Sequence, residues 1–183
     1  MAKKVAKFYK VSFEQFMKDF LDTFNEANML KYGIPPYSIS EAAVKKIWED
    51  IELPKRETTG SAGHDFKSPI TFTLRPGETI KIPTGIRVQI HEDWVLKCYP
   101  RSGLGFKYRL QLNNTVGIID SDYFYSDNEG HMFAKITNDT NEGKEFTIEA
   151  GKGFMQGIFV EYGVTEDDNP TKKRNGGFGS TDK

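Results

Sequence analysis

The stretch TFTLRPGETIKIPTGIRVQI, residues 71–90, decides the fold class of this chain. Phe72 and Leu74 alternate with threonines before the turn-forming segment RPGE, and the alternation resumes at Ile80 and Ile82. It continues once more in IRVQI. Apolar residues at every second position are typical of β-strands with one buried face. This stretch therefore predicts at least three short strands joined by tight connections.

Similar runs follow along the rest of the chain. They are WVLKCYP at residues 94–100, HMFAKI at 131–136, EFTIEA at 145–150 and QGIFVEY at 156–162. Many short strands separated by Gly and Pro turns indicate a sandwich or barrel rather than a parallel α/β sheet. We therefore expect a mainly β fold from residue 56 to residue 165.

Residues 1–55 have a helical pattern instead. SFEQFMKDFLDTFNEANML repeats apolar residues at three-and-four spacing, and Ser12 with Gln15 predicts a capping box at its start. A second helix is expected over residues 39–51, with Ser38 and Glu41 as its capping pair. Apolar stripes at this spacing usually mean burial, so we expect the two helices to pack on the β domain or at an edge between subunits. A partner-binding appendage is the alternative.

The composition excludes several classes of protein. The 183 residues include 25 basic and 26 acidic ones, a net charge of −1, which argues against a general nucleic-acid or membrane-surface binder. No run approaches the roughly 18 apolar residues of a membrane span, and the basic N-terminus is not followed by the apolar run of a signal peptide. The single cysteine, Cys98, allows no intramolecular disulfide, so a reducing cytoplasm is expected.

Five segments interrupt the rhythm of the strands. They are GSAGHDF at residues 60–66, YPRSGLGFKY at 99–108, NTVGIIDSDY at 114–123, GKGFMQGIF at 151–159 and RNGGFGST at 174–181. In the second segment, Arg101, Ser102 and Gly103 combine a guanidinium, a hydroxyl and a glycine-containing turn, which together suit a phosphate. An ordinary loop with a solvated arginine is the alternative.

The third segment joins an apolar strand to acidic and aromatic residues. The extended backbone from Asn114 to Ile119 offers N–H and C=O groups with which a planar base can pair. Asp120 follows directly and can hold and deprotonate a water molecule. Tyr123 can lie flat against a sugar. The alternative is a strand end whose aspartates cap a turn.

The last segment has the composition of a lid. Its glycines can act as hinges, Phe178 can stack on a base, and Arg174, Ser180 and Thr181 can bind phosphate oxygens. A simple linker has a similar composition. A lone phenylalanine in such a stretch favours the functional interpretation. We expect residues 166–183 to form a flexible C-terminal arm.

In this order and at these distances, the five segments resemble the five motifs of the trimeric, all-β dUTPases. The resemblance spans about residues 60–181 and implies a jelly-roll β-sandwich that forms a homotrimer with active sites between subunits. It also implies a dUTP diphosphatase, which hydrolyses dUTP to dUMP and pyrophosphate. Such an enzyme supplies dUMP and keeps uracil out of DNA. Mg²⁺ is expected as cofactor, bound mainly by the triphosphate rather than by dedicated metal ligands of the protein.

The resemblance assigns roles residue by residue. Asp120 matches the catalytic aspartate that activates water, and a free carboxylate with a pKa near about 4 is ionised at neutral pH. Asp65 matches an aspartate that supports the site from behind. The matched substrate-binding residues are Arg101, Ser102, Gly103, Asn114, Gly117, Ile119, Tyr123, Gln156, Arg174, Phe178, Gly179, Ser180 and Thr181. Tyr123 would pack on the deoxyribose, and Arg174 to Thr181 would close over the nucleotide from a neighbouring subunit.

The chain departs from the family pattern in three places. Gly153 stands where an arginine is usual in the fourth motif. A longer, acidic loop at residues 124–131 follows Tyr123, where Arg-Gly is usual. The arginine of the fifth motif lies one residue closer to Phe178 than usual, with Lys173 as the alternative to Arg174.

Two other functions are compatible with parts of this pattern. A dCTP deaminase shares the fold, but it needs a glutamate as proton shuttle in place of the Asp120 water site. A regulatory trimer that binds nucleotide without turnover would have no need of a general base. The sequence favours the diphosphatase over both.

Overall fold

The computed structural model describes residues 3–35, 39–172 and 174–175. The strands are β1 (Ala6–Lys10), β2 (His64–Lys67), β3 (Phe72–Leu74), β4 (Thr79–Pro83), β5 (Ile86–Ile90), β6 (Trp94–Pro100), β7 (Leu110–Leu112), β8 (Gly117–Ile119), β9 (Phe133–Asn138), β10 (Phe146–Ile148) and β11 (Gly153–Glu161). The helices are α1 (Phe13–Thr23), α2 (Glu26–Lys31), α3 (Glu41–Asp50) and α4 (Ser102–Tyr108), and a 3₁₀ helix covers Ser121–Tyr125. The fold is mainly β, as predicted.

The strands form antiparallel sheets whose neighbours are mostly distant in sequence. One sheet has the order β2-β11-β6-β8, a second has the order β4-β9-β7, and two further pairs are β1-β5 and β10-β3. This connectivity, in which the chain passes repeatedly from one sheet to another, agrees with the expected jelly-roll type of sandwich.

The alternating apolar residues of the stretch at 71–90 are buried, as predicted. Phe72, Leu74, Ile80 and Ile82 are all at most 1% exposed. The RPGE segment does not join two paired strands, because β3 pairs with β10 while β4 pairs with β9. The turn therefore carries the chain from one sheet to the other, and both strands point their apolar residues into the core.

The N-terminal helices share this core. Phe16 and Phe20 of α1 are fully buried in the same cluster as the apolar residues of the sheets. Gly85 lies beneath them with a φ of +72°, and a Cβ there would lie 2.3 Å from Cδ1 of Ile51. The close contact and the left-handed backbone both require glycine. The prediction that the helices pack on the β domain is confirmed.

The details of the helices differ from the prediction in two ways. The first predicted helix is divided, because α1 ends at Thr23 and the Asn25 side chain caps α2 by accepting a hydrogen bond from the Asn28 N–H. The cap of α3 is Ser40, whose hydroxyl accepts from the Ala43 N–H, and not Ser38. Ser38 lies outside the described residues. Both correct caps are the short polar residues that cap helices best.

The capping box at Ser12 is only half formed. The Ser12 hydroxyl accepts a hydrogen bond from the Gln15 N–H at 3.1 Å, as predicted. The Ser12 N–H, however, donates to the Glu129 carboxylate at 2.8 Å, while the Gln15 side chain donates to Asp19. A residue of a distant loop therefore accepts the hydrogen bond that the predicted capping box assigned to Gln15.

Strand β1 was not predicted. It lies antiparallel to β5, with Ala6 opposite Ile90 and Lys10 opposite Ile86. Residues 1–55 therefore contribute a strand to a sheet as well as helices. Among the described helices, we find none with the length and apolar character needed to cross a membrane.

Candidate active site

Strand β8 forms the edge of the four-stranded sheet. It pairs with β6 on one side, with Gly117 opposite Cys98 and Ile119 opposite Leu96. Among the described strands none pairs with its other side, so backbone groups on that side face a cavity. This is the arrangement that the sequence predicted for reading a planar base.

Gly117 keeps this edge close to β6. A Cβ at Gly117 would lie 3.1 Å from Cβ of Cys98, which leaves almost no space for a side chain. Cys98 is buried, and burial raises the pKa of its thiol to about 12. The thiol is therefore neutral and acts as part of an apolar wall rather than as a nucleophile.

The cavity beside β8 has a volume of about 680 Å³. Six of the predicted site residues line it: Asn114, Gly117, Ile119, Asp120, Tyr123 and Arg174. Apolar residues supply much of the remaining wall, including Val116, Met132 and Met155. An apolar cavity with a few convergent polar groups is typical of a small-molecule site.

Asp120 stands at the mouth of this cavity. It precedes the 3₁₀ helix, and its side chain makes no capping hydrogen bond there. This excludes the simple capping role that was the alternative for Asp120. Its carboxylate instead contacts Arg174, with Nη2 2.5 Å from Oδ2. This arginine belongs to the same chain, whereas the resemblance implied an arm from a neighbouring subunit. The Arg174 Nε donates to Asp122 at 2.8 Å.

Tyr123 is buried, and its hydroxyl is fully engaged. The hydroxyl donates to the main-chain oxygen of His131 at 2.7 Å and accepts from Nδ2 of Asn128 at 2.9 Å. Burial raises the pKa of Tyr123, although the hydrogen bond from Asn128 opposes this shift. The phenol therefore stays protonated at neutral pH and offers its ring to the cavity.

A second cluster gathers the residues matched to phosphate binding. Gln156 lies opposite Asp65 across the β11–β2 ladder, and Asp65 Oδ2 is 3.2 Å from Nη2 of Arg101. The Gln156 side chain donates to the main-chain oxygen of Pro100 at 3.3 Å. The expected turn at Ser102 and Gly103 is the first turn of α4. The first N–H groups of a helix have no partner within it, which suits an anion.

Gly153 is explained by this second cluster. A Cβ at this position would lie 2.7 Å from Nη1 of Arg101 and 3.0 Å from its Cδ. The space next to Gly153 is thus filled by the Arg101 side chain. Glycine in place of the usual arginine therefore leaves space that the Arg101 side chain fills.

The second cluster does not line the cavity beside β8. None of Asp65, Arg101, Ser102, Gly103 and Gln156 is among the described residues that line the cavity beside β8. Lys173 and the remaining arm residues, Phe178, Gly179, Ser180 and Thr181, lie outside the described residues.

The sequence did not reveal the residues behind Tyr123. Asn128 and His131 hold its hydroxyl, and Asp19 of α1 binds the His131 ring. The unusual loop at residues 124–131 was noticed as a departure, but nothing in it indicated a partner 112 residues away. A histidine next to a family motif was the only available signal.

Comparisons with known proteins agree with this geometry. The family model described as dUTPase matches residues 49–182. A deoxyuridine 5'-triphosphate nucleotidohydrolase of Lactococcus lactis subsp. lactis is 44% identical over 134 residues, covering 72% of this chain and 88% of the relative. The enzyme of the same name from Haemophilus influenzae (strain PittEE) is 38% identical over 146 residues, covering 75% and 92%.

Solved structures agree as well. The dUTPase of Streptococcus mutans matches with a TM-score of 0.56 and 36% identity, covering 62% of this chain and 88% of that one. A point mutant of the Staphylococcus bacteriophage 80alpha dUTPase with dUpNHpp matches with a TM-score of 0.54 and 25% identity, covering 72% and 92%. The match of the family model to most of the chain and the identity to these relatives show that this chain belongs to the dUTPase family.

Proposed function

We propose that this protein hydrolyses dUTP to dUMP and pyrophosphate, with Asp120 as the base that activates the attacking water. The observation that carries this proposal is the cavity in which Asp120, Tyr123 and the free edge of β8 meet. The nucleotidohydrolase names of the relatives support the same reaction.

The base is selected at the edge of β8. A uracil pairs with main-chain groups between Asn114 and Ile119, and a cytosine would leave some of these groups unpaired because its donor and acceptor are exchanged. The tight hairpin that ends in this strand should leave little room for the methyl group of thymine. The Tyr123 ring then packs on the deoxyribose and excludes a 2′-hydroxyl.

The chemistry needs one proton transfer and one displacement. The Asp120 carboxylate takes a proton from water while the water oxygen bonds to the α-phosphorus. The bond from the α-phosphorus to the bridging oxygen breaks, and pyrophosphate leaves. For this step the Asp120 carboxylate must be free of Arg174. The phosphates of the nucleotide can draw the guanidinium away from Asp120 and Asp122, because they offer it several charged acceptors.

Mg²⁺ is part of the proposal. Within the described residues, no group of three or more His, Cys, Asp or Glu side chains is placed to hold a metal ion. A triphosphate offers the hard oxygen ligands that Mg²⁺ prefers. In this proposal the phosphate oxygens of the nucleotide would hold the ion, which would neutralise part of their charge. The cytoplasm is the proposed location, since the lone, buried Cys98 does not require an oxidising compartment.

The first test is the substrate range of the wild-type protein. Pyrophosphate release is measured with dUTP, dTTP, dCTP and UTP in the presence of Mg²⁺. The proposal expects rapid turnover of dUTP alone. Binding of dUTP without cleavage would favour a nucleotide-sensing protein. Ammonia from dCTP would indicate a deaminase, although no glutamate is among the described residues that line the cavity.

The proposed assembly is a homotrimer whose sites lie between subunits. Its support is that the Arg101 cluster does not line the base cavity of its own chain. A neighbouring copy can supply it. The exposed Phe106 on α4, with 93% of its surface accessible, also favours burial against another copy.

Mixed oligomers test this assembly. Asp120→Asn and Arg101→Ala should each be inactive alone. When the two variants are unfolded together and refolded, sites that combine an intact Asp120 with an intact Arg101 should form, giving roughly a quarter of the wild-type activity. A mixture that stays inactive, or a particle with the 20.8 kDa mass of one chain, would contradict shared sites.

A further inference from the structure

Helix α1 is connected to the cavity through two residues of the loop that follows Tyr123. Asp19 on α1 binds the ring of His131, and the main-chain oxygen of His131 accepts the hydrogen bond of the Tyr123 hydroxyl. The match to the dUTPase family begins at residue 49, so α1 lies outside it. A helix outside the family match thus reaches a residue that faces the nucleotide.

The His131 ring is held on both sides. The Gly85 N–H donates to its Nε2 at 2.8 Å, so Nε2 must be unprotonated. The proton of the neutral ring therefore lies on Nδ1, which donates to Oδ2 of Asp19 at 2.5 Å. The side chain of His131 is fully buried, and the ring of Phe133 packs on it with centroids 4.6 Å apart. This leaves the residue little freedom to move.

The rest of the loop is fastened to α1 as well. Glu129 accepts hydrogen bonds from the N–H and the hydroxyl of Ser12, at 2.8 and 2.6 Å. Gly130 has a φ of +70°, and a Cβ there would lie 2.6 Å from the main-chain oxygen of Tyr123. The loop is therefore folded tightly against Tyr123, and Glu129 and His131 join it to α1 and its N-cap.

We infer that Asp19 and His131 are positioning residues that fix Tyr123 against the sugar, so that selection of deoxyribonucleotides depends on helix α1. This inference rests on the proposed function. A wall that excludes one hydroxyl group must be rigid, because a shift of about 1 Å is enough to alter rates strongly. The buried Asp19–His131 hydrogen bond supplies this rigidity from outside the family motifs.

Kinetics with dUTP and UTP test the inference. In Asp19→Ala the Nδ1–H of His131 loses its partner. The ratio of kcat/KM for dUTP to that for UTP should fall roughly 10- to 100-fold, with the KM for dUTP raised more than kcat is lowered. In Asp19→Asn the amide oxygen still accepts the hydrogen bond, so most of the selectivity should return. Equal selectivity in wild type and Asp19→Ala would overturn the inference.

Two further variants separate positioning from general damage. Val44→Ala removes a fully buried side chain of α3 that has no polar group, so it should lower stability without changing the selectivity. Tyr123→Phe removes the hydroxyl through which Asp19 acts. In that background Asp19→Ala should cause no additional loss of selectivity, and an undiminished additional loss would contradict the inference.

These experiments distinguish failure of the positioning role from failure of the proposed function. A wild-type protein that does not hydrolyse dUTP would contradict the function itself, whereas an active wild type with insensitive Asp19 variants would contradict only the positioning role. If Asp19→Ala does not fold, Glu129→Ala on the partly exposed side of the same loop replaces it. That variant should lower the selectivity in the same direction, and unchanged selectivity would overturn the inference.

Discussion

The Arg174 guanidinium lies against the Asp120 carboxylate, with Nη2 2.5 Å from Oδ2. The arm of the chain thus contacts the carboxylate that is to act as base. Both side chains remain partly exposed, at 23% and 44%. An ion pair of this kind contributes at most about 1 kcal/mol, so a triphosphate can displace it.

Replacing Arg174 should therefore weaken nucleotide binding. Arg174→Ala removes a charge-assisted contact to phosphate, and the KM for dUTP should rise roughly 10- to 100-fold. Initial rates over a range of dUTP concentrations measure this. The nearby, exposed Lys172 provides the control, because Lys172→Ala should leave the KM nearly unchanged. An unchanged KM in Arg174→Ala would exclude a role for this arginine in binding.

A side chain at Gly153 should disturb Arg101. In Gly153→Ala the new Cβ displaces the guanidinium from its place beside Asp65, and kcat/KM for dUTP should fall about 3- to 10-fold. The stability should change little, because the Arg101 side chain is 44% exposed and can move. Gly105→Ala on α4, where a Cβ would meet nothing within 4 Å, is the matched control. Equal activity of both variants would contradict this assignment.

Burial of α1 predicts that the N-terminal segment unfolds together with the sandwich. Phe16→Ala should lower the free energy of unfolding by about 3–5 kcal/mol, because the side chain is fully buried. The exposed Leu21 gives the control, since Leu21→Ala should cost well under that amount. Urea unfolding followed by circular dichroism and by tryptophan fluorescence should show one transition. Two separate transitions would indicate an independent appendage.

The Asp19–His131 pair should also affect stability in acid. Burial opposes ionisation of Asp19, but the hydrogen bonds from His131 and Gln15 prevail and lower its pKa. A lowered pKa stabilises the fold above the unfolded value, near about 4, and this contribution is lost as the pH falls through the folded pKa. Wild type should therefore lose more stability than Asp19→Asn below about pH 4.

Thermal unfolding between neutral and acidic pH measures that difference. Asp22→Asn, on the exposed side of α1, is the control for the loss of one carboxylate from this helix. If the stability of Asp19→Asn depends on acid in the same way as that of wild type, the ionised carboxylate of Asp19 does not stabilise the fold.

The sequence was most informative where a signal is local. The alternation of Phe72, Leu74, Ile80 and Ile82 correctly predicted strands that bury these residues. The ordered motifs singled out Asp120 and Tyr123, and both residues line one cavity. In both cases the signal in the sequence lies within a few residues of the strand or the side chains that it concerns.

The remaining features depend on contacts between distant residues. Strand β1 has no alternation of buried and exposed residues and exists because it pairs along β5. The hydrogen bond between Asp19 and His131 joins residues 112 positions apart. The contact of Arg174 with Asp120 involves a tail whose composition predicts no packing. No local pattern contains these relationships, so only the fold could reveal them.

The most direct test of the central claim is a single-turnover measurement on Asp120→Asn with dUTP and Mg²⁺. The amide keeps the shape of the side chain but cannot take a proton from water. We expect dUTP to bind with nearly the wild-type affinity, while the rate of cleavage falls roughly 10²- to 10⁴-fold. Cleavage at close to the wild-type rate would show that Asp120 is not the base.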